Sequence, residues 1–138
     1  MAVLVHAEAG TPRGWLCRLA VLGGQNASAN LRLSRAEAAT LESFHADIGS
    51  FALADALGWR LGHMLAGDVL HARAAVLETP LPDGWQTATR RGEVAVFPVS
   101  AADLMPGLQG PALGAKLKSL QDRWLASSLT LSKAQLLA

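Results

Sequence analysis

The chain has 138 residues, of which 51% are hydrophobic and 17% are charged, and its formal net charge is +1. A composition this apolar excludes a disordered protein. The small net charge gives the chain as a whole no preference for a polyanionic partner. Its single cysteine, Cys17, excludes an intramolecular disulfide and a cysteine-based metal site, and we expect a buried, inert thiol.

The start of the chain has no signal-peptide pattern, since it lacks a basic segment followed by a long apolar one. No apolar stretch reaches the roughly 20 residues that a membrane-spanning helix needs. We therefore expect a cytoplasmic protein that makes no contact with a membrane.

The spacing of apolar residues predicts an all-α protein of roughly seven helices, because no segment alternates with the period of a strand. A first helix is predicted from Pro12 through Trp15 to Leu22. Ser34-Arg-Ala-Glu37 is a capping box and predicts a second helix, which ends at Gly49-Ser50. Its predicted buried stripe is Ala38, Leu41, His45 and Ile48, with Phe44 beside it.

Residues 52–78 form the longest stretch with helical spacing, with a predicted apolar stripe of Leu61, Leu65, Val69, Ala72 and Val76. Each interior glycine costs a helix about 1 kcal/mol relative to alanine, so we predict two helices meeting near Gly58 to Gly62. Thr79-Pro-Leu-Pro82 then breaks the helix. We place there the boundary between a helical body, residues 1–82, and a helical tail, residues 83–138.

In the tail, Asp83 is predicted to cap a short helix through Trp85 to Arg91, and residues 93–99 are predicted to be extended. Ser100 is predicted to cap one turn over residues 101–105. Gly110-Pro111 begins the last long helix, since proline is well accommodated at the first helical position. The apolar face of that helix is Leu113, Leu117, Leu120 and Trp124, and Ser132 caps a final turn.

Independent catalysis is not expected of this chain. It lacks the glycine patterns of nucleotide-binding loops and the closely paired carboxylates that hold Mg²⁺. His63, Asp68 and His71 are close in the sequence and could suggest a metal site. The spacing gives the two histidines no third ligand on their face, so we expect an ordinary helix surface. Ser100 and Ser132 are better explained as helix caps than as nucleophiles.

Positive charge is concentrated in residues 85–138, where six basic residues stand against three acidic ones. The most informative stretch runs from residue 97 to 118: a short helix, a turn containing Gly107, and a helix that begins at Gly110-Pro111. A helix N-terminus offers unpaired N–H groups and a partial positive charge, and Gly110 and Gly114 leave room for a phosphate. This pattern predicts a phosphate-binding hairpin; an ordinary turn with solvated lysines is the alternative.

Cationic and aromatic residues near the hairpin extend this prediction. Lys116 and Arg123 are seven positions apart, so they share a helix face, whereas Lys118 can pair with Asp122. Arg90 and Arg91 form either a solvated face or, from their charge, a second contact with a polyanion. Of the four tryptophans, Trp15 and Trp124 are predicted to be core residues, and Trp59 and Trp85 either pack in the core or stack on a nucleobase.

Four stretches, taken together and in this order, resemble the C-terminal helical region of bacterial CCA-adding tRNA nucleotidyltransferases and their poly(A) polymerase relatives, in the alphaproteobacterial form. They are Leu31-Arg-Leu-Ser34, Trp59-Arg-Leu-Gly62, Phe97-Pro-Val with Asp103-Leu104, and Gly110-Pro-Ala-Leu-Gly114 with Leu117 and Trp124. The resemblance spans roughly residues 13–138, and the Gly-Pro-x-x-Gly block is its most specific part.

The resemblance implies a role in tRNA maturation. Whole enzymes of this family add C, C and A to tRNA from CTP and ATP, using Mg²⁺ in a catalytic head whose motifs this chain lacks. The chain would then be the body and tail, without cofactor or catalysis of its own, and its partners would be tRNA and the head and neck of the parent protein. Gly110, Gly114 and Lys116 match the tail motif that faces the RNA backbone.

Three more residues, Arg90, Arg91 and Arg123, are assigned to the same RNA surface from their charge alone. Two other functions remain open at this point. One is a structural domain that supports the catalytic head without contacting RNA. The other is a DNA-binding helix-hairpin-helix module, which is disfavoured because two residues, and not one, separate Gly107 from Gly110.

Overall fold

A computed structural model of the chain describes residues 14–22 and 30–138. Over these residues the chain is helical and contains no strand, so the all-α prediction is confirmed. The helices are α1 (Trp15–Leu22), α2 (Arg35–Ile48), α3 (Ala54–Leu61), α4 (His63–Leu77), α5 (Trp85–Val94), α6 (Gly110–Ala126) and α7 (Lys133–Leu137), with a 3₁₀ turn over Ala101–Asp103. Within the described ranges, no helix is long and apolar enough to cross a membrane. Pro12 and Gly23-Gly24, predicted to flank α1, lie outside the described residues.

Serine caps begin three of the helical segments, as predicted. The Glu37 carboxylate accepts from the Ser34 N–H at 2.8 Å, and the Ser34 hydroxyl accepts from the Glu37 N–H at 3.3 Å. Hydrogen bonds from the Ser34 side chain and backbone lower the pKa of Glu37. Ser132 forms the same reciprocal box with Gln135, which begins α7.

The predicted start of α5 is wrong. Gly84, and not Asp83, occupies the N-cap position, and no side chain caps the helix. Gly84 adopts φ +68°, a left-handed conformation that glycine tolerates and that turns the chain without a side-chain cap. The helix also continues to Val94, so residues 93 and 94, predicted to be extended, are helical because the last turns of α5 pack closely against α3.

Gly58 on α3 and Gly92 on α5 explain how closely these two helices approach. A Cβ added to Gly58 would lie 2.1 Å from the Thr89 carbonyl oxygen, and one added to Gly92 would lie 1.9 Å from that of Asp55. Only a hydrogen fits at either position. The predicted break between α3 and α4 is also confirmed, since Gly62 joins them at φ +83°.

One buried cluster joins α1, α2, α3 and α4. Its members are Cys17, Ala20, Leu41, Phe44, Ile48, Leu57, Ala66, Val69, Leu70, Ala72 and Ala75. Two predicted stripes need correction. In α2, Phe44 is buried and His45, predicted to be in the stripe, is exposed. In α4, Leu65 and Val76 were predicted to be in the apolar stripe but are exposed. Helix α4 lies in the middle of the cluster and packs against several neighbours, so it is buried on more than one face.

A second cluster lies in the tail and consists of Val99, Leu120, Trp124 and Leu136. Trp59 of α3 contacts Trp124 edge-on, with ring centroids 5.6 Å apart, and so connects the tail to the body. Trp124 is buried as predicted, whereas Trp15 is 52% exposed. The two clusters lie largely on either side of the predicted boundary at residue 82, and α3 packs on α5 across it.

Candidate nucleic-acid interface

The N-terminal turn of α6 is open on the side of its two glycines. Gly110 and Gly114 are exposed, and a Cβ added to either would meet nothing within 4 Å. Gly110 adopts φ +58°, which favours glycine, and Pro111 follows it at the start of the helix. The first turn contains no acidic residue. The first N–H groups of a helix have no partner within it, and no carboxylate of this turn competes for them.

Lys116 is the first basic residue after the two glycines along α6. It is exposed and makes no ion pair within the described residues. Lys118 instead pairs with Asp122 at 3.6 Å, as predicted. Lys116 thus carries a charge that an incoming anion can neutralise.

The only acidic residue in the preceding turn, Asp103, is satisfied by its own neighbours. Its carboxylate accepts from Lys133 Nζ at 2.5 Å, and from the backbone N–H and hydroxyl of Ser100 at 2.8 and 2.9 Å. Lys133, followed by Ser100, lowers the pKa of Asp103 to about 2. Asp103 is ionised at neutral pH, and its charge is compensated within the tail.

Arg123 lies two turns beyond Lys116, about 10 Å further along α6. It is exposed, and its Nη1 donates to the Leu136 carbonyl oxygen at 3.4 Å. This hydrogen bond links α6 to α7 but leaves most of the guanidinium in solvent. Gly110, Gly114, Lys116 and Arg123 thus belong to one helix, and the first three share its N-terminal half.

Arg90 and Arg91 lie elsewhere. Arg91 Nη2 is 2.5 Å from the Asp55 carboxylate and 3.3 Å from the Ser128 hydroxyl, beyond the C-terminal end of α6. At 1.5 Å per residue, the end of α6 at Ala126 is about 24 Å along the helix axis from Gly110. The structure therefore separates this arginine pair from the glycine hairpin. Arg90 is exposed and makes no ion pair among the described residues.

Trp59 and Trp85, predicted to pack or to stack on a base, both make internal contacts. Trp59 contacts Trp124, and the Trp85 ring stacks on His63 and meets His71 edge-on at 5.0 Å. His71 is buried, which corrects the predicted helix surface: its Nδ1–H donates to the Gly67 carbonyl at 2.7 Å. Among the described residues, no group of three His, Cys, Asp or Glu side chains could hold a metal.

The feature that sequence reasoning missed is Phe51, whose side chain is 98% exposed in the segment between α2 and α3. It lies beside a cavity of about 240 Å³. Phe51 directly follows the helix-ending Gly49-Ser50 and belongs to no helical stripe, and that isolation is the signal that could have identified it. Cys17, in contrast, is fully buried as expected.

A comparison of the chain with protein-family models, curated proteins and solved structures finds no match. The family resemblance based on the four sequence stretches therefore stays a prediction.

Proposed function

We propose that this chain is a non-catalytic RNA-binding region that contacts the backbone of a folded RNA, with tRNA as the ligand that the family resemblance implies. The observation that carries the proposal is the open N-terminal part of α6, where Gly110 and Gly114 face free space and the unpaired Lys116 follows two residues after Gly114. A helix N-terminus with exposed N–H groups binds phosphate without side-chain specificity. RNA backbone is a ligand of that chemistry.

The ion pairs within the tail support the same function. Asp103 and Asp122 are each paired with a lysine, so neither carboxylate opposes an approaching phosphate with an uncompensated charge. Lys116 and the outer face of Arg123 remain for the ligand. Few phosphates are contacted, so we expect modest affinity that falls with salt.

Under this proposal the chain binds and positions RNA, in the cytoplasm, while chemistry takes place on a separate catalytic head and neck. The Mg²⁺, CTP and ATP of the family reaction would belong to that head. The alternative, a domain that supports the head without touching RNA, is favoured by one observation: large apolar side chains, Phe51 and Val96 among them, are exposed.

The decisive experiment compares Lys116→Ala with Lys118→Ala in binding to tRNA over a range of salt concentrations. Removing one phosphate contact should weaken binding and reduce the slope of log K against log salt by about 0.7 to 0.9. Lys118→Ala should weaken binding less, because that lysine is paired with Asp122 and its loss acts on the ligand only by leaving Asp122 unpaired. Duplex DNA in the same assay tests the helix-hairpin-helix alternative.

Two outcomes would contradict the proposal. One is a failure of tRNA to bind even at low salt. The other is an equal effect of the two lysine variants, which would mean that general charge, and not the α6 opening, governs binding. Tighter binding to duplex DNA than to tRNA would favour the DNA-binding module instead.

A further inference from the structure

A small cavity lies beside Phe51, at the surface of the molecule. The cavity beside it, of about 240 Å³, is lined by Phe51, Ala52, Leu53, Ala56, Leu125 and Ala126, and by Arg60. Pockets for whole small molecules are about 300–1,000 Å³, so this one suits a single ring. Its walls are apolar apart from the Arg60 side chain.

Hydrogen bonds from the Arg73 side chain hold the segment that carries Phe51 in place. Arg73 Nη1 donates to the Ala52 carbonyl at 2.9 Å, and Arg73 Nη2 donates to the Asp47 carbonyl at 2.7 Å. The Ser50 hydroxyl adds a bond to the same Asp47 carbonyl at 2.9 Å. The backbone is anchored on both sides of Phe51, so the exposed ring is presented by a constrained segment.

One ion pair lies at the edge of the cavity. The Asp47–Arg60 pair, at 3.0 Å, has a carboxylate that is 4% exposed and a guanidinium that is 41% exposed. The acid is buried and the base faces solvent, and Arg60 also lines the cavity. An approaching ligand therefore meets one guanidinium at the edge of an apolar cavity.

We propose that this cavity binds one unstacked base of an RNA segment, with the base against the Phe51 ring and a neighbouring phosphate at Arg60. The proposal rests on the proposed function, since it takes RNA as the ligand, but it concerns a surface at the opposite end of α6 from the glycine turn. Stacking on an aromatic side chain accepts any base, and arginine contacts its phosphates. An apolar protein side chain would use the cavity but not the Arg60 guanidinium.

The test uses two RNA hairpins that differ only in one bulged nucleotide, and the full chain as wild type, Phe51→Ala and Phe51→Trp. Loss of one base stack should weaken binding of the bulged hairpin by about 5- to 150-fold, and leave the fully paired hairpin unchanged. Phe51→Trp should retain the preference for the bulge. Val96→Ala, another exposed apolar side chain, is the matched control and should have no effect.

A second variant, Leu125→Trp, fills the cavity and should cause the same selective loss. Thermal melts followed by circular dichroism confirm that each variant is folded. Equal effects of Phe51→Ala on both hairpins, or no effect on either, would overturn the inference, while Lys116-dependent binding of the paired hairpin would leave the proposed function standing. Failure of both hairpins to bind would end both proposals.

A further result would identify a different occupant. If sedimentation shows self-association that depends on concentration and disappears in Phe51→Ala, while RNA binding is unchanged, then a second copy of the chain occupies the cavity. That outcome also overturns the inference.

Discussion

Two adjacent arginines have different roles in this molecule. The sequence placed Arg90 and Arg91 together as one cationic feature, and nothing local to them could separate their roles. The difference comes from Asp55, a carboxylate that is distant in sequence and buried beneath Arg91. A buried carboxylate needs a partner, so Arg91 is part of the fold, whereas Arg90 faces solvent.

Arg91→Ala should therefore lower the free energy of unfolding by about 2–3 kcal/mol. Breaking a fully buried pair typically costs about 3–5 kcal/mol, and the effect here is smaller because Arg91 is half-exposed. Arg90→Ala should change it by no more than about 0.5 kcal/mol. Urea unfolding of the two variants measures both values. Similar stabilities for the two would show that the Asp55 contact contributes little.

The Asp103–Lys133 pair makes the tail sensitive to acid. The pKa of Asp103 falls from 3.8 to about 2 on folding, so the pair stabilises the folded state above pH 3.8, and this contribution is lost as the pH falls toward 2. The difference in melting temperature between wild type and Asp103→Asn should be largest near neutral pH and shrink over that range.

Lys133→Ala should produce the same pattern as Asp103→Asn, and the double variant should add little to either single one. Thermal melts at several pH values provide the measurement. A difference in melting temperature that does not change with pH would count against the ion pair.

At the scale of the helices, the sequence predicted features set by near neighbours better than contacts between residues far apart in the chain. The serine caps at residues 34, 100 and 132 and the break at Gly62 depend on neighbours within a few residues, and the structure confirms them. The contact between α3 and α5 depends on two glycines that are 34 residues apart. The sequence identified Gly58 only as a helix breaker and gave Gly92 no role.

Gly58→Ala and Gly92→Ala should each lower the free energy of unfolding by about 1–3 kcal/mol, because the new methyl group would collide with backbone atoms that cannot rotate away. Gly114→Ala is the matched control: it lies within α6 in open space and should raise stability by about 0.5–1 kcal/mol. Under the proposed function, Gly114→Ala should also weaken RNA binding. Chemical denaturation and an RNA titration measure the two effects separately.

For the whole molecule, the sequence predicted the helical class and the approximate number of helices correctly. It did not predict which faces are buried, because the stripes assumed that each helix packs on one neighbour. Helix α4 contacts several helices, and Trp15 is exposed although it follows the same spacing as core residues. The glycine turn at the start of α6 follows from the sequence, but the Phe51 cavity requires α3 and the end of α6 to be adjacent in space.

The two buried clusters should unfold together, since α3 contributes to both sides through Leu57 and Trp59. The single cysteine offers a clean probe, because Cys17 is fully buried in the first cluster. Its labelling by a thiol reagent should reach its midpoint in urea at the same concentration as the tertiary signal of the second cluster. Distinct midpoints would show two independent units.

The glycine pair at the α3–α5 crossing also has a consequence for evolution. Any protein that inherits this crossing must carry a bare hydrogen at both positions, since a change at either collides with main chain. Two glycines at that separation, in otherwise divergent helices, would therefore mark this close crossing after most other identities have changed.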